Sequence, residues 1–152
     1  MVTISRADFD DPALRVFLEA HLADLAPTAP VESRHALDLS ALKRPGVRLW
    51  VARAADVLVG TAALAELAPC HDELKSMRTD PRHRGSGVAS AMVCHLVGDA
   101  RARGVERISL ETGSVDFFAP ARALYRRHGF VECEPFGDYV EDPNSTFMSL
   151  PL

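Results

Sequence analysis

Between Met77 and Met92 the chain reads MRTDPRHRGSGVASAM, with Gly85 and Gly87 two apart, arginines at 78, 82 and 84, and an apolar helical pattern starting after Gly87. Glycine has no Cβ, so the backbone there can bend tightly and come close to a bound group. The first N–H groups of the helix that follows have no intrahelical acceptor and carry partial positive charge. With the Arg84 guanidinium alongside, the run Arg84, Gly85, Ser86, Gly87, Val88 and Ala89 is a candidate cradle for a phosphate or pyrophosphate. The same residues can also form nothing more than a solvated turn, and this segment alone leaves both readings open.

The elements that must position the loop follow from periodicity. ELKSMRT, Glu73 to Thr79, reads as a strand running into it. After it, Val88, Met92, Leu96 and Ala100 predict a helix of about four turns that stops at Gly104. ERISLET returns as a strand, giving one βαβ unit, and a second helix is expected from Ala119 to His128, with Pro120 in its first turn and Gly129 closing it. Upstream, TIS suggests a short strand. Asp11-Pro12 then opens a helix whose apolar stripe is Leu14, Phe17, Leu18, His21, Leu22 and Leu25. A short helix is expected from Glu32 to Leu42, then a hairpin of VRLWVAR and VLVGTAALAEL turning at Ala55-Asp56. GFVECEP and STFMSL end the chain as strands. The order β-α-α-β-β-β-α-β-α-β-β predicts a single α/β domain over residues 1–152, a mixed sheet flanked by helices.

Composition narrows the function classes. A chain of 152 residues with 47% hydrophobic and 25% charged residues can bury a core without staples, and no apolar run reaches the roughly 18 residues of a membrane span. The N-terminus meets acidic residues at once and lacks a secretory pattern, so a cytoplasmic protein is expected. A net charge of -4 argues against nucleic acid as a partner. Cys70, Cys94 and Cys133 are scattered without C-x-x-C spacing and are expected as reduced structural thiols. His71, Asp72 and Glu73 are adjacent, which does not surround one ion, and no metal is expected. His95 and His128 read as packing or surface residues.

GSGVAS nearly spells the dinucleotide fingerprint G-x-G-x-x-G, with Glu111 available as a ribose-binding acid. Against an oxidoreductase of that type, DPRHR intervenes between strand and first glycine, and only one βαβ unit is present. DPRHRGSGVASAMV instead resembles motif A of the GNAT superfamily of acyl-CoA-dependent N-acyltransferases, whose R/Q-x-x-G-x-G/A signature is matched by Arg84, Gly87 and Ala89. ARALYRRHGF, Ala121 to Phe130, is similar to that family's helix-to-strand segment A-x-x-L-Y-x-x-x-G-F. KSMRTDP, SLETGS and FGDYVEDPNS further resemble a bacterial branch of GNAT acetyltransferases without assigned substrates.

The resemblance implies an enzyme that uses acetyl-CoA, with the pyrophosphate on Arg84 to Ala89 and the pantetheine arm along Met77, Arg78 and Thr79. It implies an amine acceptor, needs no metal, and suggests a homodimer for which VECEP and TFMSL would supply a sheet edge. A non-catalytic CoA-binding module remains the rival reading. Where many members carry a cofactor-contacting Asn, seven residues before the tyrosine, this chain has Phe118. Acetyl transfer needs a neutral amine, a stabilised oxyanion and a proton for the leaving thiolate. Tyr125, at the family's tyrosine position, is the expected general acid. Glu73 and Glu111 are the candidate bases, with a solvated strand-end carboxylate as the alternative for each. The turn-rich loop from Gly137 to Ser145 is expected either to line the acceptor pocket or only to join two strands.

Overall fold

The computed structural model describes residues 1–33 and 38–152. Seven strands form one sheet, β1 (Thr3–Arg6), β2 (Val47–Ala54), β3 (Val57–Ala68), β4 (His71–Thr79), β5 (Arg107–Gly113), β6 (Val131–Glu132) and β7 (Ser145–Pro151), in the spatial order β1-β2-β3-β4-β5-β7-β6. All neighbours are antiparallel except β4 and β5, whose connection carries the helix α3 (Val88–Ala102). The remaining helices are α1 (Pro12–Leu25), α2 (Leu39–Leu42) and α4 (Ala119–Arg127). The element order matches the one expected from the sequence.

The period of two in β2 divides the core between the two faces of the sheet. Trp50 and Ala52 pack with Leu74, Ile108 and Leu110 beneath α3 and α4, where Met92, Val93, Leu96, Leu124 and Tyr125 are buried. Leu49 and Val51 pack on the other face against Leu14, Phe17 and Leu18 of α1 and Leu42 of α2. The start of α1 is set by Asp11, whose carboxylate accepts the Ala13 N–H at 2.9 Å, with Pro12 in the first turn.

The structure differs from the sequence reading in several places. The helix expected from Glu32 to Leu42 crosses residues 34–37, outside the described residues; on either side lie a 3₁₀ turn at Val31–Ser33 and the single turn of α2. The strand expected from GFVECEP is two residues long, because β6 lies at the sheet edge and pairs only through Val131 and Glu132 before the chain turns away. β7 lies between β5 and β6, and β6 covers TFMSL at Met148 and Ser149, so the outer edge of the sheet there is β6. The three cysteines are free and exposed rather than packed. Among the described residues no helix is long and apolar enough to cross a membrane.

Candidate active site

β4 and β5 pair in parallel only from His71 opposite Arg107 to Leu74 opposite Leu110. Beyond Leu74 the strands part, and the edge of β4 is left without a neighbour. At the same place β4 bulges from β3: Ala63 faces Lys75 and Thr61 faces Arg78, so Ser76 and Met77 share the single partner position of Ala62. Ser76 sits at φ 54, a left-handed conformation uncommon outside glycine. A cavity of about 160 Å³ fills the split. Its walls are residues 73–77 of β4, residues 110–113 of β5, Phe118, Ala121 and Tyr125 around the start of α4, and His21 and Leu25 of α1 with Thr28, Ala29, Ser33 and Asn144.

The strand then leads directly into the glycine loop. The Asp80 N–H donates to the Val59 carbonyl at 2.8 Å, and the Asp80 carboxylate accepts the backbone N–H of Arg82 and its guanidinium at 2.9 to 3.2 Å. The Arg82 side chain is the main reason that this carboxyl is held down at about 2. Arg82 is thus folded back on Asp80, whereas Arg84 is exposed and enters none of the ion pairs among the described residues. Gly85 and Gly87 take φ of 76 and 85, and a Cβ at either would meet nothing within 4 Å, so the outer face of the loop is open. Ser86 donates its hydroxyl to the His83 carbonyl. α3 closes its first intrahelical bond from Ala91 N–H to Gly87 C=O at 3.0 Å, which leaves the amides of Val88, Ala89 and Ser90 without helical acceptors. The Val88 side chain is buried in the core and Ala89 packs against it, so these two offer the loop backbone only.

The expected site residues divide between the two regions. Glu73, Glu111, Met77 and Tyr125 line the cavity. Thr79 pairs with Gly60 at the end of β4. The Arg78 side chain turns away: it is ion-paired with Asp24 of α1 and lies over the Phe17 ring at 5.3 Å, so only its backbone remains on the strand edge. The adjacent trio His71, Asp72 and Glu73 disperses to three partners, Ser109 at 2.7 Å, Arg103 at 2.8 Å and Tyr139 at 2.5 Å. Among the described residues no group of three such side chains is placed to hold a metal.

Tyr125 is buried against Phe130, with ring centroids 5.6 Å apart, and burial pushes its phenol above the ordinary value, so it stays protonated. Glu73 is buried and accepts hydrogen bonds on one oxygen from Tyr139 and from Lys75, the latter at 3.1 Å. Tyr139 belongs to the 137–145 loop, which reaches the site through this bond. The same loop is tied across the cavity mouth by Ser33, whose hydroxyl donates to Asp142 at 2.6 Å.

Phe118 lies against the α-carbon of Gly113: a Cβ there would sit 2.3 Å from the ring. It walls the cavity where the family's Asn would stand, and Arg122 fixes the turn beside it by donating to the Gly113 carbonyl at 2.7 Å.

Sequence reasoning missed His21, Lys75, Tyr139 and Arg122 as site residues. His21 reads as part of the apolar stripe of α1 because the stripe and the cavity share one helix face. Burial, reinforced by Arg78 and opposed by Asp24, lowers His21 to about 4, so the imidazole is neutral near pH 7. The i, i+2 spacing of Glu73 and Lys75 was the available signal for Lys75.

The sheet split thus lies beside the glycine-loop helix, with the buried Tyr125 lining it. The acetyltransferase (GNAT) family profile matches residues 13–130, and the chain belongs to that family and is an acyltransferase. It is 49% identical over 132 residues to the uncharacterized N-acetyltransferase YsnE of Bacillus subtilis (strain 168), covering 87% of each chain. Among solved structures, one assigned to the acyl-CoA N-acyltransferases, from Klebsiella pneumoniae, superposes with a TM-score of 0.80 at 28% identity, covering 100% of this chain and 98% of the other. The PaiA N-acetyltransferase of Thermoplasma acidophilum, solved in complex with coenzyme A, shares the fold with a TM-score of 0.75 at 13% identity, covering 100% and 99%.

Proposed function

We propose that this chain transfers the acetyl group of acetyl-CoA to a small amine by direct attack. The observation that carries the reading is the parting of β4 and β5 at the Ser76 bulge. It presents an unpaired strand edge to an extended ligand, between the α3 N-terminus at one end and Tyr125 with two carboxylates at the other. The pyrophosphate would lie on the amides of the loop with Arg84 beside it, as anions do at helix N-termini. The pantetheine amides would pair with the edge from Thr79 to Met77, adding to the sheet as a strand does.

The remaining groups suit the chemistry. Glu111 gives the cavity negative charge that attracts an ammonium, Glu73 is balanced by Lys75, and either carboxylate can take the amine proton directly or through water. A backbone N–H at the bulge would hold the developing oxyanion. Tyr125, kept protonated by burial, would supply the proton that the leaving thiolate needs. A cavity of about 160 Å³ suits a small acceptor. A cytoplasmic homodimer is the proposed assembly, through the edge at β6, where Val131 is 61% exposed; a monomer by light scattering at micromolar concentration overturns the dimer.

The test is thiol release from acetyl-CoA with a panel of amino acids, polyamines and a peptide N-terminus, alongside thermal shift with CoA and with NAD. Amine-dependent release above hydrolysis, with stabilisation by CoA alone, is expected. CoA stabilisation without turnover identifies a binding module, and stabilisation by NAD instead overturns the reading.

A further inference from the structure

Glu73 and Lys75 lie two apart on β4, so both side chains leave the sheet on one face, where Ala63, opposite Lys75, packs with Leu14, Phe17 and Leu18 of α1. Their charged heads meet at 3.1 Å, and the side chains, 8% and 11% exposed, are among the walls of the cavity in the split. Neither head is saturated. Oε2 of Glu73 accepts from Tyr139 and Lys75, whereas Oε1 has no partner among the described residues. The Lys75 ammonium has three N–H donors and spends two of them, on Glu73 and on the Tyr139 oxygen at 3.1 Å. Its third N–H has no acceptor among the described residues. The free oxygen is not sealed off. Among the described residues the buried side-chain N and O atoms that lack both a partner and access to solvent are Arg48 Nε, Ser76 Oγ, Arg78 Nε, His83 Nδ1 and Ser145 Oγ, so Glu73 Oε1 keeps its access.

The cavity wall thus presents a carboxylate with a spare acceptor beside an ammonium with a spare donor. Lys75 is the one cation among the described residues that line the cavity, because His21 is neutral near pH 7. A site built for an amine alone gains nothing from it, since two cations at this range repel. An acceptor that carries a carboxylate next to its amine reverses the sign. An α-amino acid holds both charges on one carbon, which suits two heads 3.1 Å apart, the ammonium meeting Glu73 Oε1 and the carboxylate meeting Lys75. Leu25, Leu110 and Phe118 supply apolar wall for its side chain. A polyamine would instead bring further positive charge toward the lysine, and a plain alkylamine would displace water from the third N–H without replacing it.

We propose that Lys75 sets the acceptor specificity, and that the acceptor is a small apolar α-amino acid whose carboxylate Lys75 binds while Glu73 holds its ammonium. A site arranged for a ligand's polar group rejects the analogue that lacks it, because its own buried groups are then left unpaired.

The inference rests on the acetyl-CoA reading and is tested separately from it. Thiol release from acetyl-CoA is measured with two acceptors of one skeleton, L-leucine and 3-methylbutylamine, which lacks the carboxylate, on wild type, Lys75→Met and Lys75→Arg. For each enzyme, kcat/KM for leucine is divided by kcat/KM for the amine. Comparing these ratios between enzymes cancels the acceptors' different basicity, and also any change at Glu73 that acts on both. The ratio should fall at least about tenfold in Lys75→Met, chiefly through KM, the scale for losing a hydrogen bond between charged groups. Lys75→Arg keeps the charge and should lie between the two. A second reading needs no variant: 4-methylpentanoate, the leucine skeleton without its nitrogen, should inhibit wild type competitively against leucine. A fall of the ratio under tenfold, a ratio in Lys75→Arg no higher than in Lys75→Met, or no competitive inhibition by 4-methylpentanoate overturns the role of Lys75. Turnover of other amines but not of leucine overturns the acceptor class and leaves the acetyl-transfer reading standing. Wild type that releases thiol with no amine at all overturns that reading, and this inference with it.

Discussion

Tyr139 donates its hydroxyl to Glu73 at 2.5 Å, across 66 positions of chain, and Lys75 reaches both groups at 3.1 Å. One carboxylate oxygen thus holds the 137–145 loop against β4. These contacts make Glu73 a fixed, charge-balanced wall of the cavity. Glu111, on the opposing strand, shares the cavity and adds to the negative field at Tyr139.

Tyr125 and Tyr139 are the chain's two tyrosines, and burial pushes both phenols above their ordinary value near 10, with Glu73 adding to the effect at Tyr139. Each hydroxyl ionises more readily in the unfolded chain. Their contribution to stability is therefore complete below about pH 10 and is lost as pH rises through and beyond it. Ultraviolet titration of the native protein should show almost no phenolate at about pH 10.5, while the urea-unfolded chain titrates near the ordinary value. Native phenolate appearing with a midpoint near 10 contradicts both placements.

His21, lowered from 6.5 to about 4, has the opposite sign. The unfolded chain takes up a proton there that the folded one refuses, so stability is complete above about pH 6.5 and falls as pH drops toward 4. At pH 4.5 the loss is on the order of 2 kcal/mol. Urea midpoints at pH 7 and pH 4.5 should show it in wild type and should show much less in His21→Gln; equal acid losses in the two proteins would exclude His21 as the cause.

Gly87 caps α3 at φ 85, with open space where a Cβ would go. Gly87→Val places a β-branched residue in a left-handed conformation, which is strained, and puts its side chain over the amides that hold the phosphates. A folded variant should bind acetyl-CoA at least about tenfold more weakly by calorimetry, the loss of roughly 1.4 kcal/mol. Unchanged affinity would remove the pyrophosphate from this loop.

How far the site was legible depends on the range of the contacts that build it. The four-turn pattern from Val88 and the glycines before it are local, so α3 and its loop could be read from spacing alone. Tyr125 lies in a contiguous motif closed by Gly129 and was equally accessible. The Ser76 bulge was not, because a two-for-one register depends on how β3 meets β4 and leaves no local composition mark. The Glu73–Tyr139 bond and the Ser33–Asp142 tie each join residues far apart in sequence. GFVECEP suggests a longer strand than β6, since only the sheet order shows that it has a neighbour on one side.

Gly113 illustrates a constraint that only the structure shows. Its backbone would accept a side chain, but an alanine Cβ would lie 2.3 and 2.4 Å from two atoms of the Phe118 ring. Gly113→Ala should destabilise by about 1–3 kcal/mol, the usual cost of overpacking. Phe118→Leu should recover part of the loss in the double variant, because a smaller side chain gives way to the methyl. Denaturant unfolding of the two single variants and the double measures the coupling, and strict additivity would mean that the ring and the glycine do not press on each other.

Tyr125→Phe separates the chemical use of the phenol from its packing. The ring's contacts with Phe130 and the surrounding core persist in the variant, so unfolding midpoint and acetyl-CoA affinity should change little. The proton donor is lost. If the hydroxyl protonates the thiolate as the adduct collapses, kcat should fall by roughly 10²-fold or more, within the range of general-acid assistance. Because burial keeps this phenol protonated above its ordinary range, the wild-type rate should show no alkaline decline from Tyr125 below about pH 10. The kcat loss in the variant should therefore be nearly constant from pH 7 to about pH 9.5. It should also shrink with an acetyl thioester of a more acidic thiol, whose thiolate departs with less need of a proton. Wild-type kcat in the Phe variant, or a loss independent of the leaving thiol, would return Tyr125 to a packing role.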